Sequence, residues 1–410
     1  LLKAQQDLLT SSFDLEQIKK TAQEHNATLV EYTIVPEDNM VHQGKNRGKA
    51  AELFIWIVQP SGEIAFETVS LDDLSIPLDE LLTQSRKSMN VGSRGGFVPI
   101  PNNNIDETVQ LRQLHQLLIE PIAQYLPDDQ YLPDDPDQQV IFIPQGELFL
   151  VPFPALIDAD GDYLIKHHTI STSPSIQTLA LTRRQKLALQ AARNTSANPV
   201  LVVGNPDMPE AWNSKTGQSE QLPSLSGARQ EAEAVANFLG TTALVQGQAT
   251  ETAIKQRIGD ASIVHLATHG LLEYGNPQDS GVRDAPGAIA LTPSQGEDGL
   301  LTSSEIIDEL QLTADLVVLS ACNTGLGDIT GDGVIGLSRS LMIKGTPSVV
   351  VSLWSVPDAP TAELMTEFYR QLGQGRDKAQ ALRYAMLETL KIPNSRPRDW
   401  AAFTLIGQTE

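Results

Sequence analysis

Ser262-Ile263-Val264-His265-Leu266-Ala267-Thr268-His269-Gly270 and Leu316-Val317-Val318-Leu319-Ser320-Ala321-Cys322-Asn323-Thr324-Gly325 are the two stretches on which the fold turns. Each is a short, mostly apolar run without strict alternation and closes on a glycine. That is the pattern of a strand buried on both faces of a parallel sheet. Similar runs stand at Val200–Val203, Ser348–Trp354 and Ala402–Ile406. Between these runs the spacing predicts helices over Gly227–Leu239, Glu251–Ile258, Gly333–Lys344, Thr361–Leu372 and Asp377–Leu390. Strand–helix alternation gives right-handed crossovers and an α/β fold whose mainly parallel sheet is flanked by helices. In such sheets chemistry gathers at the carboxyl ends of the strands.

Upstream, the pattern predicts a helix within residues 1–26 and strands at Ala27–Val35 and Glu52–Val58. A hairpin return follows at Ile64–Val69, then helices at Leu78–Lys87 and Glu107–Ala123, the latter strained at its end by Pro121. Strands are expected at Val140–Ile143 and Glu147–Val151, and a hairpin over Ala155–Ile165. The sequence QYLPDD occurs twice in tandem, at residues 124–129 and 130–135. Two copies cannot build a repeat array, so this acidic, proline-rich stretch is taken as a linker. It divides a smaller N-terminal α/β region, 1–138, from a second domain, 139–410.

Composition narrows the function. The chain has 410 residues, 29 Lys and Arg against 51 Asp and Glu, and a formal net charge of −22. That balance excludes nucleic acid as a main partner, because phosphate binding needs clustered cations, and it excludes a polybasic membrane anchor. No apolar run is long enough to span a bilayer. A single cysteine excludes internal disulfides and multi-cysteine metal centres, and a reducing, cytoplasmic setting fits it. The first residue is not methionine, and the chain reads as the C-terminal part of a longer protein. There is no P-loop and no dinucleotide fingerprint, so no cofactor is implied.

A histidine and the one cysteine fall at the C-terminal tips of strands expected to be neighbours. A free thiol with a pKa near 8.5 is only a few per cent thiolate at pH 7. A histidine beside it can take the proton and return it to a leaving amine. Gly270 permits close backbone approach, and the amides of Gly270 and Cys322 are candidate oxyanion donors. The alternative is structural: Cys322 a small buried thiol, His269 a satisfied strand-end residue. His265 and His269 stand four apart, but a zinc pair at that spacing belongs on a helix, and no metal is assigned. Asp158, Asp160 and Asp162 lack the glycine and glutamate positions of a calcium loop and suit a turn. Ser338 lies in a helical pattern rather than a nucleophile elbow, and Asp328 and Asp332 suit a loop and helix cap.

The motifs HLATHG, LSACNTG, TGDGVIGLSRSLMIKGTPSVVVSLWSVPD and WAAFTLIG, with IPQGELFLVPFPAL and LVVGNP, resemble the CHAT family. That family is caspase-like, is similar to separase, and is usually appended to tetratricopeptide repeats, often in cyanobacteria. The resemblance implies Cys322 as nucleophile and His269 as its acid/base partner. It implies a specificity pocket lined by the loop SVPDAP, with Asp358 selecting Arg or Lys before the cleaved bond and Trp354 as a pocket wall. For Asp358 a helix cap is the competing role, and for Trp354 a core position. The expected function is a cysteine endopeptidase acting on a protein partner. The alternative is a catalytically idle signalling scaffold. Glu273–Asp284 and Pro206–Pro223 are expected to be gating loops ordered by an activating partner or an upstream repeat domain.

Overall fold

The computed structural model describes residues 13–36, 50–89, 91, 107–127, 139–192, 199–213, 216–271, 287–323, 331–354 and 358–410. Contacts divide the chain into two compact units, Leu1–Asn90 with Ile100–Ala180, and Val91–Pro99 with Leu181–Glu410.

The first unit is built on β1 (Ala27–Pro36). It pairs antiparallel with β2 (Ala50–Val58), and β2 pairs antiparallel with β3 (Ile64–Ser70). On its other side β1 runs parallel to β4 (Gln139–Ile143), which runs parallel to β5 (Ile170–Thr172). The order is therefore β5-β4-β1-β2-β3. Helix α1 (Leu15–His25) begins at a capping box between Asp14 and Gln17 and ends at Asn26 in the left-handed region. It covers Leu29, Val58 and Ile141. Helices α2 (Leu78–Ser88), α3 (Glu107–Leu118) and α4 (Leu164–His167) complete this unit.

Three expectations change here. Glu147–Val151 is not a strand but a tight turn of 3-10 helix over Gly146–Leu150. Leu148, Phe149 and Leu150 are all buried, and a run buried all round leaves no period to read. The helix expected to reach Ala123 stops at Leu118 and continues as 3-10 helix over Glu120–Tyr125, because Pro121 cannot donate to a preceding carbonyl. The hairpin over Ala155–Ile165 shrinks to one bridge between Ile157 and Tyr163. Asp158 Oδ1 accepts from the Asp162 amide at 2.8 Å, so these aspartates build the turn.

The second unit holds β6 (Val200–Pro206), β7 (Glu210–Asn213), β8 (Gln218–Gln221), β9 (Leu244–Gln246), β10 (Ile263–Leu271), β11 (Ala288–Ala290), β12 (Leu300–Thr302), β13 (Leu316–Asn323), β14 (Ser348–Ser352) and β15 (Phe403–Gly407). Its main sheet runs β9-β6-β10-β13-β14-β15. The first five are parallel and β15 returns antiparallel to β14. A short hairpin, β11–β12, attaches antiparallel to the last residues of β10. The crossover helices are α6 (Ser226–Phe238), α7 (Glu251–Ile258), α8 (Ser303–Glu309) and α9 (Gly331–Ile343). They are followed by α10 (Asp358–Gly373), α11 (Lys378–Leu390) and α12 (Pro397–Trp400). The division between the units falls inside α5 (Ile176–Ala192). The fold is a mixed α/β arrangement with a mainly parallel sheet flanked by helices, as expected. Among the described residues no helix is long and apolar enough to cross a membrane.

The segment 206–223 is not an irregular loop. It forms the hairpin β7–β8, whose Met208, Ala211 and Leu222 pack with Leu271, Ala288 and Leu300. Residues 273–284 and the linker positions 128–138 lie outside the described residues.

Candidate active site

Strands β10 and β13 are parallel, and His269 is the register partner of Cys322. Adjacent strands lie about 4.8 Å apart, so the two residues stand side by side at the carboxyl edge. Both strands begin in phase, Ile263 opposite Leu316, which is why the two positions coincide. Among the described residues the β13–β14 ladder ends at Leu319 and Val351. Among the described residues, Ser320 to Asn323 of β13 take their register partners from β10. Helix α10, starting at Asp358, follows β14 at the same edge.

The His269 ring is buried, and its Nε2 lies 2.7 Å from the Pro223 carbonyl oxygen. A carbonyl only accepts, so Nε2 carries a proton and donates. In the neutral ring the lone pair is then on Nδ1, the nitrogen able to take a proton. Pro223 had no signal in the sequence, since its contribution is a main-chain oxygen. It lies between β8 and α6, in the segment expected to be a gating loop.

His265 is fully buried on the same strand, and its spacing of four places it on the same face as His269. Its Nε2 lies 3.1 Å from Glu231 Oε1 on α6, and its Nδ1 lies 3.0 Å from the Tyr369 hydroxyl on α10. Burial, and then the Glu231 charge, push the Tyr369 phenol well above its ordinary value, so it keeps its proton. The carboxylate accepts from Nε2–H, and the phenol can donate to Nδ1. Both ring nitrogens are thus engaged by protein partners. Glu231 and Tyr369 were not foreseen, because each reads simply as a helix residue.

The other sequence candidates fall as follows. Gly270 has register partners on both sides, Ile289 on β11 and Asn323 on β13. Trp354 is buried, and its indole N–H donates to the Arg398 carbonyl at 3.0 Å, a core position. Asp358 is the first residue of α10, three positions earlier than the expected helix start. Ser338 is buried inside α9, and Asp328 lies outside the described residues. At the start of α7, Glu251 brings its carboxylate oxygens together with those of Glu297 and Glu305. The Lys255 ammonium sits among them, 2.9 to 3.2 Å from each. The cation of that cluster is the protein's own.

The CHAT domain family model matches residues 108–408. The chain belongs to the CHAT domain family. Human tetratricopeptide repeat protein 28 is 31% identical to this CHAT chain over 329 residues. The mouse protein is 30% identical over 328 residues. Each alignment covers 72% of this chain and 13% of the relative, so the chain spans a small part of the curated relatives it matches. Among solved structures, the separase–securin complex of Saccharomyces cerevisiae matches with a TM-score of 0.55 at 12% identity. That match covers 95% of this chain and 30% of the other. The CHAT chain shares that caspase-like fold.

Proposed function

We propose that this CHAT chain is a cysteine endopeptidase with Cys322 as nucleophile and His269 as acid/base partner. The observation that carries the reading is their register pairing at the sheet edge, with His269 Nε2 held by the Pro223 carbonyl. His269 Nδ1 takes the thiol proton, and the sulfur attacks the scissile carbonyl carbon. The resulting oxyanion is held by backbone amides of Cys322 and Gly270. The same imidazole returns the proton to the leaving amine, and water then hydrolyses the thioester.

Gly270 is flanked by β11 and β13, so offering its amide to an oxyanion requires the terminal rung to open. That requirement suits an enzyme of low basal activity that a partner or an upstream repeat domain switches on. Asp358, at the start of α10 on the same edge, supplies the carboxylate that selects Arg or Lys before the cleaved bond. Trp354 supports this selection from the core, where its indole donates to the Arg398 carbonyl. The partner is a protein substrate in the cytoplasm.

A second reading is an idle scaffold, and the names of the curated relatives, which describe repeat proteins, favour it. Incubating wild type and Cys322→Ala with a proteome in the presence of candidate activators, and mapping new termini by mass spectrometry, separates the two. The peptidase reading expects termini after Arg or Lys made by wild type alone. Identical termini in both samples leave only the scaffold.

A further inference from the structure

We infer that Asn205 is a positioning residue for His269, acting through the Pro223 carbonyl. The inference rests on the dyad reading above and adds a residue to it.

The geometry starts at the tip of β6. Gly204 pairs with Ala267 of β10, so Asn205 follows on the strand that flanks His269 on the side away from Cys322. A Cβ at Gly204 would lie 2.3 Å from the Ala232 Cβ and 2.7 Å from the Ala228 carbonyl oxygen. Glycine there lets α6 lie directly on β6. The next residue, Asn205, adopts φ +42°, a left-handed conformation that asparagine tolerates far better than most side chains. It is buried, and its Oδ1 accepts from the Leu225 amide at 2.7 Å and from the Ser224 hydroxyl at 3.1 Å. Those two residues directly follow Pro223, whose carbonyl takes the His269 Nε2 proton.

Pro223 and Ser224 are themselves exposed. Leu222 and Leu225 on either side pack into the apolar cluster of the β7–β8 hairpin. Apolar packing holds the segment in place without fixing where a carbonyl points. The two hydrogen bonds to Asn205 Oδ1 are directional. They fix the peptide chain after Pro223 and with it the acceptor that decides which imidazole nitrogen bears the proton. Side-chain placement errors near 1 Å can cost about a hundredfold in rate at a reacting centre.

The test uses the chain's one cysteine, so alkylation reports Cys322 alone. With iodoacetamide the sulfur forms the new C–S bond, iodide leaves with the C–I pair, and the thiol proton passes to His269 or solvent. Rates are measured against pH on the full chain for wild type, His269→Ala, Asn205→Gly and Asn205→Asp. Asn205→Gly keeps the left-handed backbone and removes the acceptor, whereas Asn205→Asp keeps both. The expected result at pH 6.5 is a drop of about tenfold for His269→Ala and a drop of similar size for Asn205→Gly. The inflection of both should move toward the free-thiol value near 8.5. Asn205→Asp should retain most of the wild-type rate.

A folded Asn205→Gly with the wild-type profile overturns the inference while the dyad stands. So does a lower labelled fraction with an unmoved inflection, since that reports folding only. A His269→Ala profile equal to wild type overturns the dyad and this inference together. Should Asn205→Gly not fold, the milder Asn205→Ser, too short to reach Leu225, is read instead by the ring 15N shifts of His269. Retention of the wild-type Nε2–H tautomer there overturns the inference, and its loss supports it.

Discussion

Replacing His265 by leucine should destabilise the second unit more than replacing His265 and Glu231 together would suggest. The pair is 3.1 Å apart, and His265 and Glu231 are 0% and 3% exposed. His265→Leu strands a carboxylate in an apolar interior, and breaking a buried pair from one side costs about 3–5 kcal/mol. Tyr369→Phe leaves His265 Nδ1 without its phenol at 3.0 Å, a loss of about 1–3 kcal/mol. His265→Leu with Glu231→Leu removes both polar groups and fills similar volume, so no buried charge remains. The double variant should therefore fall short of the summed costs of His265→Leu and Glu231→Leu alone by at least about 1 kcal/mol. Urea unfolding followed by the emission of Trp354 and Trp400, both buried in this unit, supplies the four corners of the cycle. Additivity within about 0.5 kcal/mol would refute the reasoning, because contacting members of one network must couple.

Gly204→Ala should cost at least about 1–3 kcal/mol through overpacking, since its Cβ meets Ala232 at 2.3 Å; an unchanged melting temperature would contradict that contact. Lys255→Met should cost about 3–5 kcal/mol in urea unfolding. Burial pulls the Lys255 ammonium down, but hydrogen bonds to Glu251, Glu309 and Glu305 more than offset it and hold it above the ordinary lysine range. Asp377 caps α11 by accepting from the Gln380 amide at 2.8 Å, and burial raises its carboxyl from 3.8 to about 6. Its contribution is fully present below pH 3.8 and is lost as pH rises through about 6, a change of roughly 3 kcal/mol. Asp377→Asn, which still caps, should flatten the melting temperature between pH 4 and 7; an unaltered slope counts against the shift.

The central parallel strands β6, β10, β13 and β14 were legible because each is a mostly apolar run without strict alternation. The side-by-side placement of His269 and Cys322 was legible too, since 269 − 263 equals 322 − 316 and both strands start in phase. Helix α5 escaped because it has no one-sided apolar stripe. Leu187 is 54% exposed while Thr182 and Gln185 are buried. The β7–β8 hairpin escaped because Gln218-Ser219-Glu220-Gln221 offers no apolar alternation. At the site, the groups that hold His269 and His265 in place were invisible for a common reason. Pro223 acts through its main chain, and Asn205, Glu231 and Tyr369 act across sequence separations that no local pattern encodes.

The spacing of four between His265 and His269 makes β10 an unforgiving genetic target. Side chains alternate faces along a strand, so losing or gaining one residue between them turns one histidine to the opposite face. Such a lesion would break either the bond to Pro223 or the ties to Glu231 and Tyr369, whichever register the strand kept. Changes in length after Leu271 carry no such penalty, because they leave the register of β10 with β6 and β13 untouched. Variation among relatives should therefore enter this edge of the sheet as insertions beyond the strand ends and almost never as a shift within β10.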